Sequence, residues 1–357
     1  MNRWLFFFAG CVLASTGSLA QAKVSVELSP SNKSLYKVIY PGTPPSYDGA
    51  ALPFSAIEVR DIRPDTTKLG FYRSTKDRRS YKYRFATNTA AALTAFLQDH
   101  YGDHLTPGSP NRLVIYVKKL WLSEFDSTEL NLHSTHIRNA WLYLKAEMYL
   151  QSRDAYYPIY RFDSVVYARK NNQYSSGGFI TATLLESLYT LHNVDFTQLL
   201  HKRSLQQAQI DTYNNAYVPA PADKPVKGVY LSYNEFKNGT PSCTDFEVRF
   251  ESLADVVYVK DADGRLYPRK HVWGFSNGET VFIRMGANYF PLYNQEKTWE
   301  FYGTNVMEAR GFRMPVILGA GLPLALLTAG AAEFSQYEKK LVHLRAFQVD
   351  VENGKFY

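Results

Sequence analysis

The chain has 357 residues, of which 45% are hydrophobic and 20% are charged, and its formal net charge is +7. These values are typical of globular proteins and exclude a disordered chain, while the length suits two domains with proper cores. Tyrosine and phenylalanine are abundant, with 27 and 22 residues. Because these side chains suit half-buried strands, the composition favours β-structure.

Residues 1–22 are predicted to be a signal peptide. Arg3 supplies the positive charge, residues 4–14 form the apolar core, and Ala20-Gln-Ala22 is a small-x-small cleavage site. An alternative is a lipoprotein-like site at Cys11, although the usual aliphatic residue three positions before it is missing. The sequence therefore predicts an exported protein that is periplasmic or associated with the outer envelope. Attachment to a membrane is an open alternative. Its basic charge suits anionic lipid or acidic glycan, and nucleic acid is not an expected partner.

Residues 23–52 are predicted to be an extended lead segment, because four prolines interrupt them. An α+β domain is predicted over residues 53–205. It begins with a half-buried strand at Ala56–Arg60, which Pro64 ends and after which Gly70 closes a turn. Apolar residues at helical spacing then predict a helix over Phe85–His100.

Three strands and a second helix follow in the same domain. The strands are predicted at Leu113–Leu122, Trp141–Leu150 and Tyr157–Ala168, and the helix from Gly177 to about Arg203. In Trp141–Leu150 every second residue is apolar, which predicts one face on the core and an aromatic-polar face towards solvent. The predicted β-α-β-β-β-α order places helices on one face of a mainly antiparallel sheet.

Residues 206–226 are predicted to be a linker, since they are rich in glutamine and then in proline. Residues 227–357 show only strand patterns, starting with Gly228–Phe236, with a turn about every 10 residues. They predict a β-domain that resembles a sandwich or a barrel. Within it, Met314–Ala332 carries no charge, and three interpretations stay open: a packed helical hairpin, a transmembrane helix, or a segment that contacts a membrane or partner.

Short motifs in each half resemble known families. The first half carries Val59, Asp61, Arg63, Pro64, Asp65, Leu69 and Gly70. Over about residues 55–205 it resembles periplasmic lipoproteins of the YajG type and the auxiliary lipoproteins of envelope lipid-transport systems. The second half carries Gly228–Phe236 and Trp273–Gly278 and resembles an uncharacterised β-rich module of secreted Bacteroidota proteins. Neither resemblance implies catalytic residues.

The segment from Tyr72 to Phe85 concentrates basic and aromatic residues. It supplies the predicted binding residues Arg73, Lys76, Arg78, Arg79, Lys82, Arg84, Tyr81 and Tyr83. Guanidinium groups suit phosphate or carboxylate, and tyrosine rings stack on sugars or lie at a membrane interface. The alternative interpretation of this segment is a solvated loop without a ligand.

No catalytic, cofactor or metal motif stands out from the sequence. His100 and His104 have helical metal-ligand spacing, but Gly102 between them predicts a helix break. We therefore predict a non-enzymatic envelope protein with a binding or assembly role, no cofactor, and envelope proteins, anionic lipid or glycan as partners. Two alternatives stay open: a glycan-acting hydrolase with unidentified carboxylates, and a structural subunit of an envelope complex.

Overall fold

The computed structural model describes residues 35–74, 79–129, 135–170, 175–215, 225–251, 254–286, 288–295, 298–303 and 345–357. The predicted signal peptide, Lys76, Arg78 and Met314–Ala332 lie outside these ranges. The described residues all belong to one compact unit that starts at Leu35 and runs to Tyr357. They are mostly β-structure with some helices, as the composition predicts.

A central mixed sheet contains the first strands of the described chain. Its order is β1-β4-β3-β5-β6-β7-β8, and β2 pairs with the first part of β5. The strands are β1 Leu35–Ile39, β2 Ala56–Asp61, β3 Gly70–Arg73, β4 Ser80–Phe85, β5 Asn111–Glu129, β6 Thr135–Ser152, β7 Ala155–Lys170 and β8 Leu205–Gln206.

The long strand β5 organises this sheet. Along one side it pairs antiparallel with β6, and along the other it pairs parallel with β2 and then with β3. Because β5 has 19 residues, two short strands fit end to end beside it. The pairing of β1 with β4 is also parallel, so the sheet contains more parallel pairings than the sequence pattern indicated.

Five helices accompany the sheets, and side-chain caps mark the start of four of them. They are α1 Thr89–Tyr101, α2 Ser176–Leu188, α3 Phe196–Leu199, α4 Gln207–Asn215 and α5 Tyr233–Asn238. The predicted start of the first helix at Phe85 is wrong, because Phe85 pairs with Ile39 in the sheet and the Asn88 side chain caps α1 by accepting from Ala91 N at 2.7 Å. The second predicted helix is also too long, since α2 ends at Leu188 and Asp195 caps a separate turn of helix.

One face of the central sheet packs against α1 and α2. The apolar residues predicted to face the core do so, and they are buried: Leu142, Leu144, Ala146, Met148 and Leu150. They share one core with residues of the two helices, including Phe96, Leu97, Leu184 and Leu188. We call this the apolar face.

The opposite face of the sheet is also covered, so the prediction that it faces solvent is wrong. On β6, Lys145 is 1% exposed, and Tyr143, Glu147 and Tyr149 are buried as well. Helix α4 covers one part through Ile210, which packs on Tyr149. The C-terminal residues 345–357 cover the next part. We call this the charged face.

Two further sheets come from the second half of the described chain. A six-stranded antiparallel sheet has the order β17-β16-β15-β14-β13-β9, and β10, β11 and β12 form a three-stranded antiparallel sheet. The strands are β9 Gly228–Tyr230, β10 Phe246–Glu251, β11 Ala254–Lys260, β12 Leu266–Pro268, β13 Gly274–Ser276, β14 Val281–Met285, β15 Asn288–Gln295, β16 Thr298–Gly303 and β17 Arg345–Gln348.

Two segments of the second half differ from the predicted elements. The expected strand over Gly228–Phe236 ends at Tyr230, because Ser232 caps α5 at its start and Gly239, with φ of 65°, ends it. Part of the predicted linker forms α4, whose Ile210 is buried against the central sheet.

Candidate binding surface at one end of the central sheet

The described residues of the predicted basic segment lie mainly on two paired strands, β3 and β4, which we call the hairpin. Strands β3 and β4 pair antiparallel with Tyr72 opposite Tyr81, and Ser74 N donates to Arg79 O at 3.0 Å. Gly70 has a φ of 137°, and a Cβ there would lie 1.8 Å from the carbonyl oxygen of Leu122. Only glycine allows this approach, so Gly70 fixes the hairpin directly against β5.

The hairpin separates its tyrosines from its basic residues. Side chains alternate between the two faces of a strand, and directly paired residues share a face. Tyr81 and Tyr83 therefore lie with Tyr72 on the side of the apolar face. Lys82 and Arg84 lie with Arg73 on the opposite side. The sequence placed these residues together, and the structure brings the basic ones to one face and the tyrosines to the other.

Tyr83 lies in the core. It is 0% exposed, and its hydroxyl donates to Glu124 Oε2 at 2.6 Å. The hydroxyl of Ser176, in the first turn of α2, donates to the same carboxylate oxygen at 2.9 Å. Burial, with the nearby Glu124 carboxylate, raises the pKa of the Tyr83 hydroxyl well above its usual value. Tyr83 therefore holds the hairpin against α2 and does not form part of a surface.

Around Tyr72 the charges of the same face balance. The Tyr72 hydroxyl donates to Asp126, and Arg138 Nε lies 3.2 Å from the other oxygen of that carboxylate. The Tyr72 ring also has Lys37 Nζ at 4.6 Å and the Arg138 guanidinium at 4.7 Å from its centroid. Burial, followed by the hydrogen bond to Asp126, raises the pKa of Tyr72 to about 12. Arg138 also lies 4.0 Å from Glu124 Oε2, so two basic groups meet two carboxylates and leave no excess of positive charge.

The other face of the hairpin carries the predicted basic residues Arg73, Lys82 and Arg84. Arg84 is exposed, and Arg73 and Lys82 are half-buried. The Arg84 guanidinium lies 4.9 Å from the ring centroid of Tyr36, a residue of β1 that is 48% exposed. Strands β1, β3 and β4 contain no Asp or Glu. We call Tyr36, Arg73, Lys82 and Arg84 the basic face of the hairpin.

Sequence reasoning found the basic residues but missed their neighbours. Arg79, one of the predicted binding residues, is exposed and directly precedes β4. Tyr36, Lys37, Glu124, Asp126, Arg138 and Ser176 were missed, because they come from other parts of the chain. Only the strand register brings them together, and no local spacing in the sequence contains that information.

The histidines considered as metal ligands surround a tyrosine. Tyr47 lies edge-on to His104 at 4.7 Å and to His100 at 5.8 Å, and stacks on His192 at 5.4 Å. Across the described residues, no group of three or more His, Cys, Asp or Glu side chains is placed to hold a metal ion. The aromatic packing explains why these histidines lie together.

Helices of the described ranges are too short or too polar to cross a membrane. Comparison of the chain with protein-family models, with curated proteins and with solved structures found no match.

Proposed function

We propose that this chain is a non-enzymatic, exported protein of the cell envelope that binds an anionic lipid or glycan through the basic face of the hairpin. One observation carries the proposal: Arg73, Lys82 and Arg84 share one face of the hairpin, next to the exposed ring of Tyr36. Guanidinium and ammonium groups bind phosphate and carboxylate, and an exposed tyrosine ring suits a sugar or a membrane interface.

The sequence supplies the rest of the proposal. Export rests on the signal-peptide pattern of residues 1–22, and membrane contact on the uncharged stretch Met314–Ala332. The same proposal includes kinship with YajG-type and lipid-transport lipoproteins. It also includes a layout with the helices on one face of the sheet for residues 53–205, and a sandwich- or barrel-like arrangement for residues 227–357. So do the domain limits given above and a role in assembly with other envelope proteins.

Flotation of the full chain with vesicles tests the proposal. The site variant is Arg73→Ala/Lys82→Ala/Arg84→Ala. The control variant, Lys237→Ala/Arg249→Ala/Lys260→Ala, removes the same charge from exposed residues of α5, β10 and β11. We expect wild type and control to float with phosphatidylglycerol vesicles and the site variant to stay behind. Equal flotation of all three proteins would exclude the basic face as the binding surface.

A second arm separates the two sources of negative charge. Neutral phosphatidylcholine vesicles test for charge dependence, and a soluble acidic polysaccharide competes with the anionic vesicles for the same groups. A glycan-binding protein is released from the vesicles by the polysaccharide at low concentration. A lipid-binding protein stays on the vesicles, because several lipid head groups and the bilayer interface bind it at the same time.

A further inference from the structure

The outer edge of β7 is long and open within the described chain. On its inner side β7 pairs with β6 from Ala155 to Lys170. On its outer side the described residues supply only β8, which pairs with Ala155 and Tyr156. The backbone N–H and C=O groups that point outward beyond Tyr156 form a ready template for another strand.

The two halves of this edge differ in their side chains. Pro158 and the ion pair between Arg161 and Asp163, at 3.6 Å, occupy the first half. Proline and charges are the residues that discourage edge pairing. The second half instead exposes Val165 by 42% and Tyr167 by 51%. These two side chains lie on the same face, two positions apart, on an edge that is regular from Tyr160 onward.

The second half of β7 is complementary to itself. Antiparallel pairing of two copies about a two-fold axis at Val166 sets Val165 of each copy opposite Tyr167 of the other. A β-branched residue opposite an aromatic one is a favourable cross-strand pair, and the two-fold axis supplies it twice. On the other face the same register sets Ser164 opposite Ala168.

Neighbouring registers lose the pairing of Val165 with Tyr167, and an axis at Tyr167 instead pairs that residue with its own copy. Directly paired residues must lie on the same face of the new sheet, so the two-fold axis must pass through a residue of β7. Moving the axis from one residue to the next changes the partner of every residue by two positions. An axis at Ser164 sets Asp163 opposite Val165, and an axis at Val165 sets Asp163 opposite Tyr167. Both place a carboxylate against an exposed apolar side chain.

We infer that β7 is a dimerisation edge and that its partner is a second copy of this chain, paired antiparallel about Val166. The contact is isologous, so it closes with two copies and uses the β7 edge of both. The central sheet then continues from one copy into the other. This inference does not depend on the proposed binding function.

Cysteine cross-linking tests the register. The background carries Cys11→Ser and Cys243→Ser, which removes the native thiols. In that background Val166→Cys faces its own copy across the axis, at a Cα–Cα distance of about 4.5–5.5 Å, which a disulfide spans. The matched control Ser164→Cys faces Ala168, and its own copy lies about 13 Å away along the strands.

Mild oxidation is expected to convert Val166→Cys into a covalent dimer and to leave Ser164→Cys as single chains. The double variant Ser164→Cys/Ala168→Cys is expected to cross-link again. Equal cross-linking of Val166→Cys and Ser164→Cys would overturn the register. Single chains for all three variants would overturn the inference, provided that their circular dichroism matches the wild type.

Light scattering of the purified full chain tests the dimer without cysteines. We expect twice the chain mass for the wild type. Val165→Lys/Tyr167→Lys sets like charges opposite each other and is expected to halve that mass, while Val165→Asp/Tyr167→Lys sets opposite charges across the axis and is expected to keep it. A monomeric wild type, or the same mass for both variants, contradicts the inference.

Discussion

The two faces of the central sheet are both buried, but different interactions hold them. The apolar face packs leucine and alanine side chains under α1 and α2. The charged face packs lysine, glutamate and tyrosine under α4 and the C-terminal residues 345–357. Burial of the first follows from the hydrophobic effect, whereas the second is buried only because partner charges arrive from distant parts of the chain.

Ion pairs join the charged face and its surroundings to the second half of the protein. Lys119 pairs with Asp350, Lys145 pairs with Glu352, and Lys68 Nζ lies 2.8 Å from Glu300 Oε1. Such pairs return little net stability, because desolvation of both ions offsets their attraction. They nevertheless penalise any arrangement that leaves one ion buried alone, so they determine which segment covers this face.

The largest expected effect is on the charged face. Lys119→Met leaves the Asp350 carboxylate buried without its cation, and we expect a loss of about 3–5 kcal/mol in the free energy of unfolding. The double variant Lys119→Met/Asp350→Asn removes both charges and is expected to regain most of that loss. Chemical denaturation of both single variants and the double variant measures the coupling. Additive losses would show that the pair is not a coupled unit.

A leucine on the apolar face gives the next effect. Leu142 is fully buried under the helices, and Leu142→Ala is expected to cost about 2–5 kcal/mol through lost burial and a cavity. No second truncation should restore stability here, which distinguishes this face from the charged one. Denaturation of Leu142→Ala/Leu184→Ala checks this, and recovery in that double variant would remove the distinction.

The C-terminal contact with the charged face is expected to contribute less. The Tyr357 ring stacks on Tyr143 with centroids 3.8 Å apart. Tyr357→Phe keeps the stacked ring and should change stability little, whereas Tyr357→Ala is expected to cost about 1 kcal/mol beyond its lost burial. The same denaturation measurement compares them. Equal stability of the two variants would mean that the stack adds nothing.

The smallest effect is a pH dependence at Tyr72. Its pKa is raised by burial to about 12, so the native state favours the protonated hydroxyl. The stabilisation is complete below the usual tyrosine pKa of about 10 and is lost as the pH rises from there through about 12. Burial also raises the pKa of Tyr101, Tyr233, Tyr289 and Tyr293 to about 12, so tyrosinate absorbance of Tyr72→Phe should show one group fewer near pH 12 than the wild type. An unchanged titration curve contradicts this assignment.

Alternation in Trp141–Leu150 was enough to predict the apolar face, since a period of two assigns side chains to faces. The same alternation predicted that Lys145 and Glu147 face solvent. This failed because a local pattern cannot show that Glu352 and helix α4 will cover them. Helix starts failed for a similar reason. Phe85 fits the helical spacing, but its pairing with Ile39 comes from a strand 46 positions earlier.

The binding surface was predicted as a set of residues but not as a geometry. Composition alone identified the basic residues from Arg73 to Arg84. It could not show that β4 directs Lys82 and Arg84 to one face and Tyr81 and Tyr83 to the other. The reason is that the pairing of this segment depends on the contact of Gly70 with Leu122, which lies far away in the sequence. The tyrosines are therefore structural, and the basic residues keep the proposed binding role.

Binding to anionic vesicles, measured as a partition constant at low and at high salt, tests the central claim most directly. At low salt we expect Arg73→Ala/Lys82→Ala/Arg84→Ala to bind about 100-fold more weakly than the wild type, since each basic group near an anionic surface contributes about 1 kcal/mol. High salt should narrow that difference by screening. Equal partition constants for the wild type and this variant at low salt would contradict the account.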